Sequence, residues 1–225
     1  MTTTNDIPLR LAVFDCDGTL VDSQHSIIHA MHAASDRHGF DRPGADAVRR
    51  VVGLPLEIAM QHLFGVDARV GEDMCLSYKS AFFALREGGA VSEPLYPGVS
   101  EVLDRLDRAG WLMGIATGKS MRGLVSTLNT HGLSDRFVTL QTSDVAHGKP
   151  HPDMMFKAMS ATGAEPGDTV MIGDTTYDME MARNAGVRAI GVAWGYHEDA
   201  ELRTAGADVV VHDTHGLTAA LLGAV

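Results

Sequence analysis

The chain has 225 residues, is 45% hydrophobic, and carries 18 Lys and Arg against 29 Asp and Glu, for a net charge of −11. That length holds one large domain or a core with an insert, and an acidic surplus with no run of Lys and Arg excludes a surface built to follow a nucleic-acid backbone. No apolar run approaches the roughly 18 residues of a membrane span, and the polar start Met1 to Asp6 lacks the charged and apolar regions of a signal peptide, so the expected location is the cytoplasm.

The first strand is expected over Leu9 to Phe14 and runs into Asp15-Cys16-Asp17-Gly18. Side chains of an extended chain alternate, so Asp15 and Asp17 emerge on one side while Cys16 points into the packing beneath. Gly18 lets the chain turn away and leaves both carboxylates at a strand end. A plain strand-and-turn reading accounts for Asp-x-Asp-Gly equally well, since both residue types favour turns. Cys16 and the other cysteine, Cys75, belong to no CxxC or metal-ligand spacing and read as reduced core thiols.

Residues 24 to 88 read as helix after helix. In Gln24 to His38, Ile27, Ile28, Met31 and Ala34 share one face, and His25, His29, His32 and Asp36 share the other. The histidine spacing could ligate zinc or nickel, but a polar face is the simpler reading. Pro55 opens a helix through Leu56, Ile58, Ala59 and Leu63 that ends near Gly65. A third helix places Met74, Tyr78, Ala81, Phe82 and Leu85 at helical spacing before Gly88 and Gly89.

From Tyr96-Pro97-Gly98 onward short apolar strands alternate with amphipathic helices. Strands are expected near Leu112 to Ala116, Val138 to Gln141, Thr169 to Ile172, Arg188 to Val192 and Asp208 to Val211. Helices are expected near Val99 to Arg108, Met121 to Thr130, Pro152 to Thr162, Tyr177 to Ala185, Glu198 to Thr204 and Gly216 to Leu222. This alternation predicts an α/β fold, a Rossmann-like three-layer core with a parallel sheet, plus an inserted small all-helical cap domain. The core is expected over residues 1–22 and 94–225, and the cap over 23–93. Ligands of such sheets bind outside the carboxyl ends of the strands, where Asp15, Asp17, Thr117, Lys149 and Asp174 should all fall.

With Asp15-Cys16-Asp17, Thr117-Gly118, Gly148-Lys149-Pro150 and Gly173-Asp174-Thr175-Thr176-Tyr177-Asp178 in this order, the chain resembles the haloacid dehalogenase superfamily. Within it, the phosphoglycolate-phosphatase-like and β-phosphoglucomutase-like branch with a helical cap is the most similar. The resemblance implies a Mg2+-dependent phosphomonoester hydrolase working through an aspartyl-phosphate on Asp15, with Asp17 as acid and base. It also implies metal ligation by the Asp15 carboxylate, the Asp17 backbone carbonyl and the Asp174 carboxylate, with Asp178 behind them. Thr117 and Gly118 would bind the substrate phosphate, and Lys149 would serve both phosphate and nucleophile. Read on its own, the segment also admits Asp174 or Asp178 as a plain helix cap, the weaker of the two readings. Lys119 and Arg122 read as surface residues first.

The partner expected from this resemblance is a small phosphorylated metabolite such as 2-phosphoglycolate, with no nucleic acid or membrane, and the protein a monomer or homodimer. The apolar turn Gly53-Leu54-Pro55-Leu56 suggests a small organic group under the cap. A phosphosugar mutase is the near alternative, weakened because Ile27 and Leu56 stand where such enzymes carry a histidine and a basic residue. A catalytically silent binding protein is the alternative of a different class. A P-loop reading of Thr117-Gly118-Lys119-Ser120 fails because Met113 occupies the position of the required first glycine.

Overall fold

In a computed structural model, residues 9–223 are described, and the expectation for Met1 to Asp6 lies outside them. Six strands form one parallel sheet in the order β3-β2-β1-β4-β5-β6. They are β1 (Leu11–Phe14), β2 (Leu112–Thr117), β3 (Thr139–Thr142), β4 (Thr169–Gly173), β5 (Arg188–Val192) and β6 (Val209–Val211). The sheet grows outward in both directions from β1, so the crevice between β1 and β4 is its topological switch point.

Register brings the chemistry-bearing positions level. Phe14 pairs with Ile115 on one side and Ile172 on the other. Asp15 is the next residue on β1, and Thr117 and Asp174 each lie two residues beyond the partner of Phe14. The Asp15 N–H donates to the Ile172 carbonyl at 2.9 Å, extending the ladder by one bond before the chain turns.

The sheet is covered on both faces, which explains why β1 is an unbroken apolar run with every residue buried. One face packs Phe14, Leu103, Ile115, Leu124, Ile172 and Leu217 under α5 (Val99–Arg108), α6 (Met121–Thr130) and α10 (Thr214–Leu222). Cys16 lies in this cluster, pointing away from Asp15 and Asp17 as alternation requires. The other face packs Val13, Met154, Met171, Met179 and Leu202 under α7 (Asp153–Thr162), α8 (Thr176–Ala185) and α9 (Asp199–Ala205).

Between β1 and α5 stand α1 (Gln24–His38), α2 (Ala45–Arg49), α3 (Leu56–Phe64) and α4 (Ala68–Glu87). Ile27, Met31, Val48, Met60 and Met74 give them a hydrophobic cluster of their own. The five-residue α2 is absent from the sequence reading, being too short to show a helical period, and Pro55 is the cap before α3 instead of its first turn. Chain entry and exit are tied together: Asp22 N–H donates to the Pro94 carbonyl and Tyr96 N–H to the Leu20 carbonyl, at 2.8 and 3.0 Å.

The α2–α3 turn lies against the loops at the carboxyl edge of the sheet. A Cβ at Gly118 would sit 3.2 Å from the Gly53 and Leu54 carbonyls, and one at Gly148 only 2.3 Å from Pro55. Tyr177 Oη donates to the Arg50 carbonyl at 2.9 Å, and Arg50 pairs with Glu201 on α9. No helix of the described residues is long and apolar enough to cross a membrane. Phe14, 1% exposed and set edge-on to Phe137, anchors the central strand. Phe14→Ala should lower unfolding free energy by about 3–5 kcal/mol in urea denaturation, and a loss under about 1 kcal/mol would contradict this packing.

Candidate active site

Asp15, Asp174 and Asp178 converge at the β1–β4 crevice, all buried, and each offers a carboxylate oxygen within 4.8 Å of the other two. Lys149 enters from the loop after β3 with its side chain fully buried, its Nζ 2.9 Å from Asp15 Oδ1 and 2.6 Å from Asp178 Oδ1. At these distances the one ammonium lies against both carboxylates at once.

Each carboxylate is held by a different local device. Asp174 precedes α8, where Thr19 Oγ1 donates to its Oδ1 at 2.7 Å and the Tyr196 N–H to its Oδ2 at 2.9 Å. Asp178 lies in the first turn of α8, and its Oδ2 accepts from both the N–H and the hydroxyl of Thr175, at 3.0 and 2.7 Å. The helix-cap reading and the site reading of Asp178 therefore both hold: one oxygen caps α8 and the other faces Lys149. Asp174 is not on the helix, so the two do not share a helical face. Glycines leave the room this requires. A Cβ at Gly18, whose φ is +89°, would meet Asp174 Oδ2 at 2.2 Å, and one at Gly195 would meet Asp174 Cβ at the same distance.

Asp17 forms a separate charge set. Its Oδ1 accepts from Ser23 Oγ at 2.6 Å and from Lys119 Nζ at 2.8 Å. Lys119 also donates to Glu93 Oε1 at 2.8 Å, and Glu93 Oε2 accepts from Thr127 Oγ1 at 2.7 Å and faces Arg86 of α4 at 3.4 Å. The surface reading of Lys119 is therefore corrected: its side chain is 8% exposed, held by two carboxylates over the ring of Phe82. Burial opposes its ammonium, but Asp17 first among its neighbours raises its pKa above that of an ordinary lysine. Arg122 is exposed, its guanidinium over Phe83. Thr19, Ser23, Glu93 and Tyr196 escaped the sequence reading. Of these, Thr19 directly follows Asp15-Cys16-Asp17-Gly18, and Ser23 lies four residues further on.

Thr117, buried, and Gly118 end β2 at the same edge, and with Asp15, Asp17 and Lys119 they line a cavity of about 410 Å³ between the sheet edge and α1–α4. The histidine stripe stays apart. His25 and His29 are exposed, and His32 Nε2 bonds the Pro43 carbonyl at 2.9 Å. Asp36 pairs with Arg42 at 2.7 Å, and among the described residues no metal-binding cluster falls there.

The six-stranded sheet with its site at the β1–β4 switch point places the chain among α/β proteins that bind ligands at the carboxyl edge of a parallel sheet. Residues 12–192 match the family model for haloacid dehalogenase-like hydrolases, and the chain belongs to that family. It is 38% identical over 207 residues to a probable phosphatase, IndB, of Dickeya dadantii, covering 89% of this chain and 88% of that one. It is 28% identical to a phosphoglycolate phosphatase of Vibrio parahaemolyticus, covering 90% and 91%. A haloacid dehalogenase-like family hydrolase from Streptococcus pneumoniae superposes with a TM-score of 0.82 at 25% identity, over 94% of this chain and 98% of that one. The family is one of hydrolases, and the Dickeya and Vibrio relatives both carry phosphatase in their names.

Burial first, and then neighbouring charge, sets the acid–base behaviour of the site. Burial pushes the Asp15 carboxyl up to about 6, against the pull of Lys149. Burial, then the charges of Asp15 and Asp178, holds Asp174 well above the usual carboxylate range. A folded-state pKa above the unfolded value means that between about pH 4 and 6 the folded chain keeps a proton the unfolded chain has lost, so stability falls as pH rises through that window. In EDTA, the melting temperature of Asp15→Asn should gain on that of the parent protein between about pH 4 and 7. A difference that stays flat across this range would count against the assignment.

Proposed function

We propose that the protein is a divalent-metal-dependent phosphomonoesterase that works through an aspartyl-phosphate on Asp15. The observation that carries this reading is the charge imbalance at the β1–β4 crevice. Three buried carboxylates face one ammonium, a net charge of −2 when all are ionised. Burial of that surplus is costly unless a cation joins it. Hard carboxylate oxygens suit Mg2+, which Asp15, the Asp17 backbone carbonyl and Asp174 would hold with Asp178 alongside. The ion would supply charge neutralisation for the approach of a phosphate dianion to a carboxylate.

In this reading an Asp15 oxygen attacks phosphorus, the bond from phosphorus to the leaving oxygen breaks, and Asp17 gives that oxygen a proton. Asp17 then takes a proton from water, the water oxygen attacks the phosphoryl group, and phosphate leaves with the Asp15 carboxylate restored. Lys149 stabilises the charge on the transferred group, and Thr117 with Gly118 hydrogen-bonds its outer oxygens. Lys119 and Ser23, both bonded to Asp17 Oδ1, hold that carboxyl in place for both proton transfers.

Residues 23–93, holding α1–α4, are in this reading a cap domain that closes over the site and excludes water while the aspartyl-phosphate stands. The paired backbone segments at Leu20–Asp22 and Pro94–Tyr96 are its natural hinges. Apolar Ile27 and Leu56 on the cavity wall favour hydrolysis over a phosphosugar mutase.

Release of phosphate from 4-nitrophenyl phosphate should require Mg2+, stop in EDTA and vanish in Asp15→Asn. Asp17→Asn should lower kcat by about 10²–10⁴, and Lys149→Ala should both raise KM and lower kcat. Turnover by Asp15→Asn within about tenfold of the parent would overturn the nucleophile assignment. Isomer formation from glucose 1-phosphate without phosphate release would favour the mutase instead.

A further inference from the structure

We propose that the alcohol released by this enzyme carries a planar, uncharged aromatic ring, and that Phe82 and Tyr78 on α4 form the wall that receives it. The inference rests on the phosphomonoesterase reading and extends it to a substrate class.

Beyond the phosphate end marked by Asp15, Thr117 and Gly118, one part of the cavity wall is apolar, beside the charged Glu57, Lys79, Arg86, Arg122 and Asp144. Ile27 and Met31 of α1 and Leu56 of α3 line it with Tyr78 and Phe82. The two aromatic rings lie 5.9 Å apart at a 38° tilt and are only partly buried, with Lys119 and Arg86 also over the Phe82 ring, so the surface they give to a ligand is what those contacts leave open. Ring-on-ring contact adds binding beyond the area it buries, and a thioether such as that of Met31 also favours an aromatic partner.

Charge at the cavity argues in the same direction. A carboxylate or a second phosphate on the leaving group would need a cation without a partner of its own. Lys119 is already held by Asp17 and Glu93, and Arg86 by Glu93. Lys79 and Arg122 also border the cavity, but both are exposed side chains at its rim. Among the described lining residues, no buried cation is therefore free to receive a second anionic group. Nor does the far wall offer the dense set of buried donors and acceptors that a bare sugar would require.

The test compares kcat/KM of the Mg2+-loaded full chain for benzyl phosphate, cyclohexylmethyl phosphate, 2-phosphoglycolate, pyrophosphate and glucose 6-phosphate, with acetyl phosphate as the smallest substrate. Benzyl phosphate should exceed 2-phosphoglycolate, pyrophosphate and glucose 6-phosphate by about tenfold or more, and cyclohexylmethyl phosphate by about two- to tenfold. Phe82→Leu, which keeps bulk but loses the ring, should shrink the ratio of benzyl phosphate to 2-phosphoglycolate by at least about threefold. A carboxylate, diphosphate or sugar ester at the top of the series would overturn the proposal, as would cyclohexylmethyl phosphate matching benzyl phosphate. Turnover of acetyl phosphate with no preference for benzyl phosphate would sink the ring inference alone. Failure on every compound, acetyl phosphate included, would remove the phosphomonoesterase reading and this inference with it.

Discussion

Three carboxylates buried around a single lysine ammonium set the terms for the rest of this molecule. Placing Asp15, Asp174 and Asp178 within 4.8 Å of one another raises the energy of the ionised site, and the surrounding chain is arranged to hold it there. Gly18 and Gly195 let backbone pass where any side chain would strike Asp174. Thr19 and the Tyr196 N–H fix that carboxylate by hydrogen bonds, and Thr175 ties down Asp178. Such preorganisation places charge before a ligand arrives, which is what stabilisation of a charged transition state requires.

The second charge set differs in kind. Asp17, Lys119, Glu93 and Arg86 balance two acids against two bases, so this set has no surplus for an ion to neutralise. Its importance is geometric. Glu93 lies where the chain leaves the helical unit, Arg86 near the end of α4, and Lys119 just after β2. A shift of α4 relative to the sheet would therefore pull on the residues that position Asp17. In the proposed mechanism this couples closure of the helical unit to the geometry of the proton donor.

Periodicity made most of the fold legible. The run Leu11–Phe14 reads as a buried strand because every residue is apolar, and the alternation after Pro97 reads as a parallel sheet because each strand is followed by an amphipathic helix. Errors came where local pattern is thin. The five residues of α2 make little more than one turn, and the strands expected from Val138 and Asp208 begin one residue later. Lys119 was misread for a different reason: an isolated lysine is most often solvated, and its two acidic partners lie 102 and 26 residues away.

The sequence alone determined which residue types could act and at which strand ends they stand, because alternation, turn chemistry and motif spacing are local properties. It also contained the glycines without showing what they make room for. Tertiary structure decided which carboxylates share a charge cluster, that Asp178 divides its oxygens between a helix cap and Lys149, and that Asp17 belongs to a separate, neutral set. It decided too that Ile27, Tyr78 and Phe82 face one cavity with Thr117. Those outcomes depend on distances between segments far apart in the chain, which are settled only when the sheet register and the packing of α1–α4 are in place.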